Sequence, residues 1–298
     1  MLKKDQVRLG IAPIGWTNDD LPELGGEISF EQCISEMSEA GFVGCEVGNK
    51  YPKDPKVLKP ALDQKGLQIA NQWFSSLLTS EGYEVTIENF KKQLEFLKAM
   101  GATVIGASEQ GNSIQGKPVP ILSDQKPVFT EEQWELIAKG CNDMGKIAKD
   151  EGITFTYHHH MGTGIQFMDE VDRFLDMTDP ELVFLLYDTG HFAFCGEDPL
   201  AAVKRYVDRI GHVHLKDVRP EVLKKVKEED MSFLDAVKAG AFTVPGDGSI
   251  DFKPIFDVLA ENNYHGWMIV EAEQDPAKAN PLEYAKKARQ YIKENTGL

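Results

Sequence analysis

Residues 130–160 read TEEQWELIAKGCNDMGKIAKDEGITFTYHHH, and this stretch contains one complete helix-to-strand unit. Apolar side chains recur at helical intervals along its first part: Trp134, Ile137, Ala138, Cys141 and Met144. Thr130, with Gln133 three residues later, has the spacing of a capping box and predicts where the helix begins. Residues 153–157 then form a short strand-like run. The stretch therefore predicts one α/β unit.

The same alternation recurs along the whole chain. Eight strand-like runs are separated by amphipathic helix patterns: 7–14, 44–48, 67–73, 103–107, 153–157, 183–187, 210–215 and 267–270. Strict alternation implies a parallel sheet with helical crossovers. Eight units in 298 residues fit a closed (β/α)8 barrel, the TIM barrel, better than an open sheet. No GxGxxG follows the first strand and no GxxxxGK[ST] occurs, so the usual support for a nucleotide-binding open sheet is missing. We predict a single α/β domain over residues 1–298.

Two segments are longer than ordinary barrel loops, namely residues 108–129 and residues 216–249. The second follows the seventh predicted strand and contains a helix pattern of its own at 221–239. Long insertions after barrel strands commonly carry function. We therefore expect the insertion after strand seven to cap the active site.

Composition excludes several classes of protein. The net charge is −16, from 32 Lys and Arg against 48 Asp and Glu, which argues against a nucleic-acid surface. The apolar runs are too short to span a bilayer, and the N-terminus MLKKDQVRLG lacks the apolar region of a secretory signal. The four cysteines show no CxxC spacing and are expected to be free thiols. We expect a cytoplasmic enzyme with a small-molecule substrate and no membrane or nucleic-acid partner.

Metal-ligating residue types gather at the ends of the last four predicted strands. Because side chains alternate along a strand, His158 and His160 share one face, and Asp188, His214 and Glu271 point to the same rim. Imidazole and carboxylate together suit a divalent ion such as Mn, Co, Fe or Zn. A strand-end Asp or His can instead be a cap or a packed side chain, and for His158 that alternative has equal weight. The rim predicts a metal centre.

Polar side chains at other strand ends suit a polyhydroxylated ligand, whose hydroxyls need donors and acceptors. They are Glu46, Asn71, Gln72 and Glu109. Glu46 could alternatively be a structural carboxylate. Trp16 and Trp73 follow strands one and three and could stack on the apolar face of a ring, with ordinary core packing as the equal alternative. We predict Trp16, Glu46, Trp73 and Glu109 as substrate-binding residues.

Four motifs resemble the xylose-isomerase-like barrel superfamily. They are YDTGH at 187–191, HVHLKD at 212–217, PGDGSID at 245–251 and VEAEQD at 270–275. The more specific segment TYHHHMGT, at 156–163, resembles the inosose dehydratase family of myo-inositol catabolism. The superfamily usually places a metal-binding Glu at the end of strand five, where this chain has His158. A His two residues later, as in related barrel dehydratases, falls on His160.

The resemblance implies a lyase that dehydrates a cyclic polyol ketone, scyllo-inosose (2-keto-myo-inositol), to a trihydroxycyclohexane-1,2-dione and water. It also implies Mn or Co, with Zn as a further option, and a glutathione association that nothing in the sequence explains. In the elimination that fits, a metal at Asp188, His214 and Glu271 polarises the ketone and neutral His160 removes the α-proton.

Protonation of the departing hydroxyl needs an acid, for which His191 and Glu273 are the candidates. Lys216 binds substrate oxygens or supplies the acid, unless it is a surface lysine at a strand end. These assignments stay open at the level of sequence.

Three other functions remain as alternatives. A ketose 3-epimerase or sugar isomerase would use the same metal and return the proton instead of expelling hydroxide. A phosphodiesterase of the endonuclease IV type needs more ligands and a basic groove, which the net charge disfavours. A non-catalytic sugar-binding protein would not need a metal. Whether the chain forms a homo-oligomer is open.

Overall fold

The alternation of strands and helices extends over the whole chain in the computed structural model, which describes residues 1–298. The strands are β1 Val7–Ile11, β2 Gly44–Glu46, β3 Gln68–Asn71, β4 Trp73–Ser76, β5 Val104–Glu109, β6 Thr154–His158, β7 Phe184–Asp188, β8 Ile210–Leu215, β9 Asp217–Val218, β10 Phe242–Thr243 and β11 Gly266–Val270. The α-helices are α1 Phe30–Glu39, α2 Pro55–Asp63, α3 Tyr83–Met100, α4 Glu131–Asp150, α5 Met168–Met177, α6 Thr189–Phe194, α7 Pro199–Tyr206, α8 Pro220–Glu228, α9 Phe233–Lys238, α10 Phe252–Glu261 and α11 Pro281–Thr296.

Nine strands form one parallel sheet in the order β3-β2-β1-β11-β8-β7-β6-β5-β4. The first strand pairs with the last, with Val7 opposite Gly266. The two ends of the sheet are β3, which lies within the predicted third strand 67–73, and β4, which begins at the last residue of that prediction, Trp73, and is separated from β3 by Gln72. Across this break the side chain of Asn71 accepts a hydrogen bond from the backbone N–H of Gly106, at 2.7 Å. The sheet therefore curls back on itself, and the predicted TIM barrel is confirmed.

Helix α4 shows how the sequence specifies the outer ring. The predicted capping box is present: Thr130 Oγ1 accepts from the N–H of Gln133, and Gln133 Oε1 accepts from the N–H of Thr130. The predicted apolar face is buried, and each large side chain there contributes about 1.5–3 kcal/mol. A Cβ at Gly145 would lie 2.4 Å from the carbonyl oxygen of Leu182, so glycine permits the close approach of the helix to this segment.

The insertion after β8 differs from the predicted single helix over 221–239. It forms two helices, α8 and α9, with Asp230 between them at φ 51°. The break occurs because Ser232 caps α9, its Oγ accepting a hydrogen bond from the N–H of Asp235 at 3.2 Å. Strands β9 and β10 form an antiparallel ribbon at the base of the insertion. Phe233 of α9 and Phe242 of β10 belong to a small apolar cluster of their own, away from the main core.

The carboxylate of Asp217 organises the base of this insertion. Its oxygens accept hydrogen bonds from four backbone N–H groups, at distances between 2.8 and 3.3 Å: those of Val218, Gly246, Gly248 and Ile250. Gly246 has φ 87°, which glycine adopts without strain. The PGDGSID motif is thus a turn wrapped around Asp217, and it fixes the insertion to the barrel.

Two global features bear on function. None of the helices is long and apolar enough to cross a membrane. The four cysteines are unpaired, as the sequence predicts.

Candidate metal centre and active site

The C-terminal ends of four strands bring the four predicted ligands together. His158 ends β6, Asp188 ends β7, His214 lies one residue before the end of β8, and Glu271 follows β11. Each offers one potential ligand atom, and these atoms all lie within 4.8 Å of one another. All four residues are buried. We call them the ligand quartet.

The donor set of the quartet fits a divalent cation. His214 Nδ1 lies 2.9 Å from Glu271 Oε2 and 3.5 Å from Asp188 Oδ2, and His158 Nε2 lies 3.3 Å from Asp188 Oδ2. His214 Nδ1 and Glu271 Oε2 are both buried and neither has a partner with hydrogen-bond geometry, although Lys216 Nζ forms an ion pair with Oε2 at 2.9 Å. Unpartnered buried nitrogen and carboxylate oxygen atoms are costly unless a cation satisfies them. Imidazole and carboxylate without thiolate are typical ligands of first-row metals.

Besides its place in the quartet, Asp188 caps a helix. Its Oδ1 accepts a hydrogen bond from the N–H of His191 at 2.9 Å, so Asp188 is the N-cap of α6. The sequence offered a cap or a metal ligand for this aspartate. In the structure Oδ1 forms the cap of a short helix, while Oδ2 is directed at His158.

Beside the quartet lies a second group, made of His160, His191 and Glu273, whose potential ligand atoms also lie within 4.8 Å of one another. Lys216 connects the two groups. Its Nζ lies 3.1 Å from His191 Nε2, 2.9 Å from Glu271 Oε2 and 2.9 Å from Glu273 Oε2. The side chain of Lys216 is 0% exposed, so the alternative of a surface lysine is wrong.

Burial and neighbouring charges perturb the acid–base groups in opposite directions. Burial lowers the pKa of the His160 and His191 imidazoles well below the ordinary value, so both are neutral near pH 7. Burial opposes the charge of Lys216, but Asp188, Glu271 and Glu273 outweigh it and raise the pKa of the ammonium group. Burial raises the pKa of Glu273 to about 7, although Lys216 opposes that shift.

A cavity of about 300 Å³ opens above both groups. Only four of its 19 lining residues are hydrophobic, and neither Lys nor Arg is among them. Trp73 forms one wall, with its ring centroid 5.5 Å from those of His158 and His160. The structure therefore places Trp73 where a ligand ring could contact it, and the cavity suits an uncharged polar ligand.

Glu46 lies at the cavity wall, but most of its hydrogen-bonding capacity is used inside the barrel. Its Oε1 accepts from His212 Nε2, His214 Nε2 and Asn71 Nδ2. His212 is fully buried.

Trp16 and Glu109 lie away from the cavity, so the structure does not support their predicted contact with substrate. Trp16 is 1% exposed and its Nε1 donates to Glu36 Oε2 at 2.6 Å, which is the core alternative. The Glu109 carboxylate accepts hydrogen bonds from Ser76, Leu78, Thr79 and Gly111 and thereby ties together the loops after β4 and β5. Both residues are structural because their polar atoms already have partners within the protein.

The insertion after β8 closes one side of the site. The Phe233 ring centroid lies 5.4 Å from that of His160, and the Phe242 centroid lies 5.4 Å from that of His191. Lys216 Nζ lies 4.7 Å from the centroid of the Phe242 ring. The insertion thus supplies an apolar wall against the buried imidazoles and the ammonium group.

Comparison with known proteins gives the family. The family model described as the xylose isomerase-like TIM barrel matches residues 34–295. The chain belongs to this family. A protein from Geobacillus thermodenitrificans named inosose dehydratase is 64% identical over 298 residues, which cover 100% of both chains. A protein of the same name from Clostridium tetani is 60% identical with the same coverage. These full-length matches confirm the resemblance to the inosose dehydratases.

Solved structures that superimpose on this chain confirm the fold. The IolI protein with a bound zinc atom superimposes with a TM-score of 0.72 at 15% identity, covering 97% of this chain and 98% of that one. An L-ribulose 3-epimerase gives a TM-score of 0.70 at 18% identity, covering 98% and 95%. At these identities the likeness concerns the fold alone.

Six polar cavity residues of this xylose isomerase-like barrel escaped the sequence analysis: Asp19, Asp20, Ser75, Gln110, Ser113 and Gln115. Three of them belong to the segment 108–129, whose unusual length was the available signal. Gln115 Nε2 donates to Asp20 Oδ2 at 3.0 Å, which joins this segment to the loop after β1. Residues of two separate loops form this contact, so no local sequence pattern predicts it.

Proposed function

We propose that this chain is a metal-dependent dehydratase, a carbon–oxygen lyase, that converts scyllo-inosose to a trihydroxycyclohexane-1,2-dione and water. The observation that carries the proposal is the ligand quartet lying beside the neutral imidazoles of His160 and His191, in a cavity without Lys or Arg. Such a cavity accommodates an uncharged polyol ketone. The name shared by the relatives at 64% and 60% identity supports the same substrate.

We propose that His158, Asp188, His214 and Glu271 hold Mn²⁺ or Co²⁺. The zinc of the IolI structure supports a divalent ion in this fold and makes Zn²⁺ the third option. When bound, the cation supplies Lewis-acid stabilisation of negative charge on the carbonyl oxygen of the substrate.

His160 is the proposed base for the proton on the carbon next to the ketone. Its Nδ1 lies 2.9 Å from the backbone carbonyl oxygen of Met161, which can only accept a hydrogen bond. Nδ1 therefore carries the hydrogen, and Nε2 keeps the lone pair that takes the substrate proton. His160 lines the cavity, so this nitrogen is in reach of a ligand there.

Loss of water also requires a proton for the departing hydroxyl. Glu273 lines the cavity and is held by Lys216, whose Nζ donates to Oε1 at 3.0 Å. We propose Glu273 as this acid, with His191 as its neighbour on the other side of Lys216. The C–H proton then ends on His160, the C–O bond breaks, and the hydroxyl leaves as water.

The test is ¹H NMR of the purified protein with Mn²⁺ and scyllo-inosose in D2O. The expected result is dione formation that depends on the metal and stops with a chelator. Exchange of the α-proton without dione would instead indicate an epimerase. Absence of both exchange and dione, with metal bound, would overturn the proposed reaction.

We also propose a cytoplasmic location. The four unpaired cysteine thiols support it, because thiols stay reduced in that compartment.

A further inference from the structure

A buried hydrogen-bond network links the quartet to the opposite side of the barrel. Its centre is Oε1 of Glu46, the last residue of β2. This single oxygen accepts from His214 Nε2 at 3.0 Å, from His212 Nε2 at 3.1 Å and from Asn71 Nδ2 at 2.8 Å. Asn71 in turn accepts from the backbone of Gly106. The network therefore connects β8 with β2, β3 and β5.

The network determines which nitrogen of the His214 ring points at the other residues of the quartet. Because Glu46 Oε1 accepts a hydrogen bond, Nε2 of His214 carries the hydrogen in a neutral ring. The other nitrogen, Nδ1, then has a lone pair, and it points at Glu271 Oε2, 2.9 Å away, and Asp188 Oδ2, 3.5 Å away. Nδ1 has no hydrogen-bond partner. In this tautomer the ring is ready to donate that lone pair to a cation.

A carboxylate at position 46 is suited to this task. A carboxylate oxygen accepts hydrogen bonds, so it favours a hydrogen on Nε2 of His214. Asn71 and His212 hold the same oxygen from two other strands, so the carboxylate cannot rotate without losing several hydrogen bonds.

We propose that Glu46 is a positioning residue that fixes the tautomer and ring orientation of His214 for metal binding. This role differs from the substrate contact that the sequence suggested for Glu46. It rests on the metal centre of the proposed function, and it does not depend on the identity of the substrate.

The test compares Glu46→Gln with wild type in two measurements that need no substrate. The first is the affinity for Mn²⁺ and Zn²⁺, by competition with a chromogenic chelator. Partners that orient a metal-binding histidine typically contribute about 10–100-fold to affinity, and we expect a loss in that range. The second is ¹⁵N NMR of histidine-labelled protein loaded with Zn²⁺. It should show Nε2–H for His214 in wild type and a changed Nε2 environment in Glu46→Gln.

The matched control is Glu109→Gln, which alters another buried strand-end carboxylate with several donors and no contact to the quartet. It should lower the melting temperature but leave metal affinity within a factor of two or so of wild type. Wild-type metal affinity in folded Glu46→Gln would overturn the inference.

If Glu46→Gln does not fold, the ¹⁵N NMR spectrum of the Zn²⁺-loaded wild-type protein still tests the inference. An Nδ1–H tautomer of His214 in that spectrum would contradict the positioning role of Glu46. Failure to dehydrate scyllo-inosose, with both metal readouts as expected, would reject only the proposed reaction.

Discussion

The ammonium group of Lys216 lies 2.9 Å from Oε2 of Glu271, and the lysine side chain is completely shielded from solvent. Its Nζ is also 2.9 Å from Glu273 Oε2 and 3.6 Å from Asp188 Oδ2. Three buried carboxylates thus surround one buried cation. Lys216 therefore carries much of the charge balance of the metal-free site, and a divalent ion would add to it.

Lys216→Met should destabilise the metal-free protein by about 3–5 kcal/mol, because it leaves buried carboxylates without their cation. Mn²⁺ should raise the melting temperature of the variant more than that of wild type, since the ion neutralises the same carboxylates. Thermal unfolding with and without EDTA measures both effects. Lys224→Met is the control, because that lysine is 74% exposed and its pair with Glu228 contributes little. Equal melting temperatures for Lys216→Met and wild type would contradict this charge balance.

Asp188→Asn and Glu271→Gln should each lose bound Mn²⁺ or Co²⁺ while circular dichroism stays native. Asparagine at 188 keeps an oxygen for the N–H of His191, so α6 retains its cap while the anionic ligand is lost. Metal analysis after gel filtration is the measurement. Asp198→Asn, at the N-cap of α7, is a matched control that should keep its metal. A stoichiometric ion in either quartet variant would remove that residue from the ligands.

His160→Gln should retain metal and bind inosose but lose exchange of the substrate α-proton, together with dehydration, by roughly 10²–10⁴-fold. Glutamine can form hydrogen bonds but cannot accept the proton. NMR in D2O follows exchange and elimination in one experiment. If exchange continues at the wild-type rate while elimination stops, His160 is the acid and the base must be another residue. Loss of metal would instead make His160 a ligand.

Trp73→Leu and Trp16→Phe form an informative pair. Trp73 lines the cavity against two histidine rings, so its replacement should raise KM several-fold. Trp16→Phe removes the hydrogen bond to Glu36 and leaves a cavity in the core, so it should lower stability but leave KM unchanged. Steady-state kinetics and urea unfolding of both variants check this. A raised KM for Trp16→Phe would return that residue to the substrate site.

Replacing residues 221–239 with a short Gly/Ser linker should lower kcat and raise KM together. The replacement removes Phe233, which shields His160 from water, and a wetter site weakens electrostatic interactions with the substrate. Phe233→Ala should reproduce the fall in kcat. Val226→Ala, in the same apolar cluster but on α8, should cost stability without that fall. Unchanged kinetics in the linker variant would show that the insertion has no part in the reaction.

Periodicity predicted most of the barrel because the barrel repeats one local unit. All eight strand-like runs contain strands, and the capping box at Thr130 and Gln133 is formed as predicted. The errors occur where tertiary contacts override local pattern. Gln72 interrupts the third strand because β3 pairs with β2 whereas β4 pairs with β5. The helix pattern at 221–239 is divided because Ser232 caps a second helix there.

The sequence by itself determined which side chains could meet at the barrel rim. Alternation along a strand and the common direction of parallel strands are local properties, and together they bring His158, Asp188, His214 and Glu271 to one end. Only the tertiary structure decided which polar groups are already satisfied within the protein. Glu46, Glu109 and Trp16 all lie at or just after strand ends and were equivalent candidates by sequence. Glu109 and Trp16 have partners away from the cavity, and Glu46 holds two histidines from β8. Such partners come from distant parts of the chain, so the spacing of residues cannot specify them.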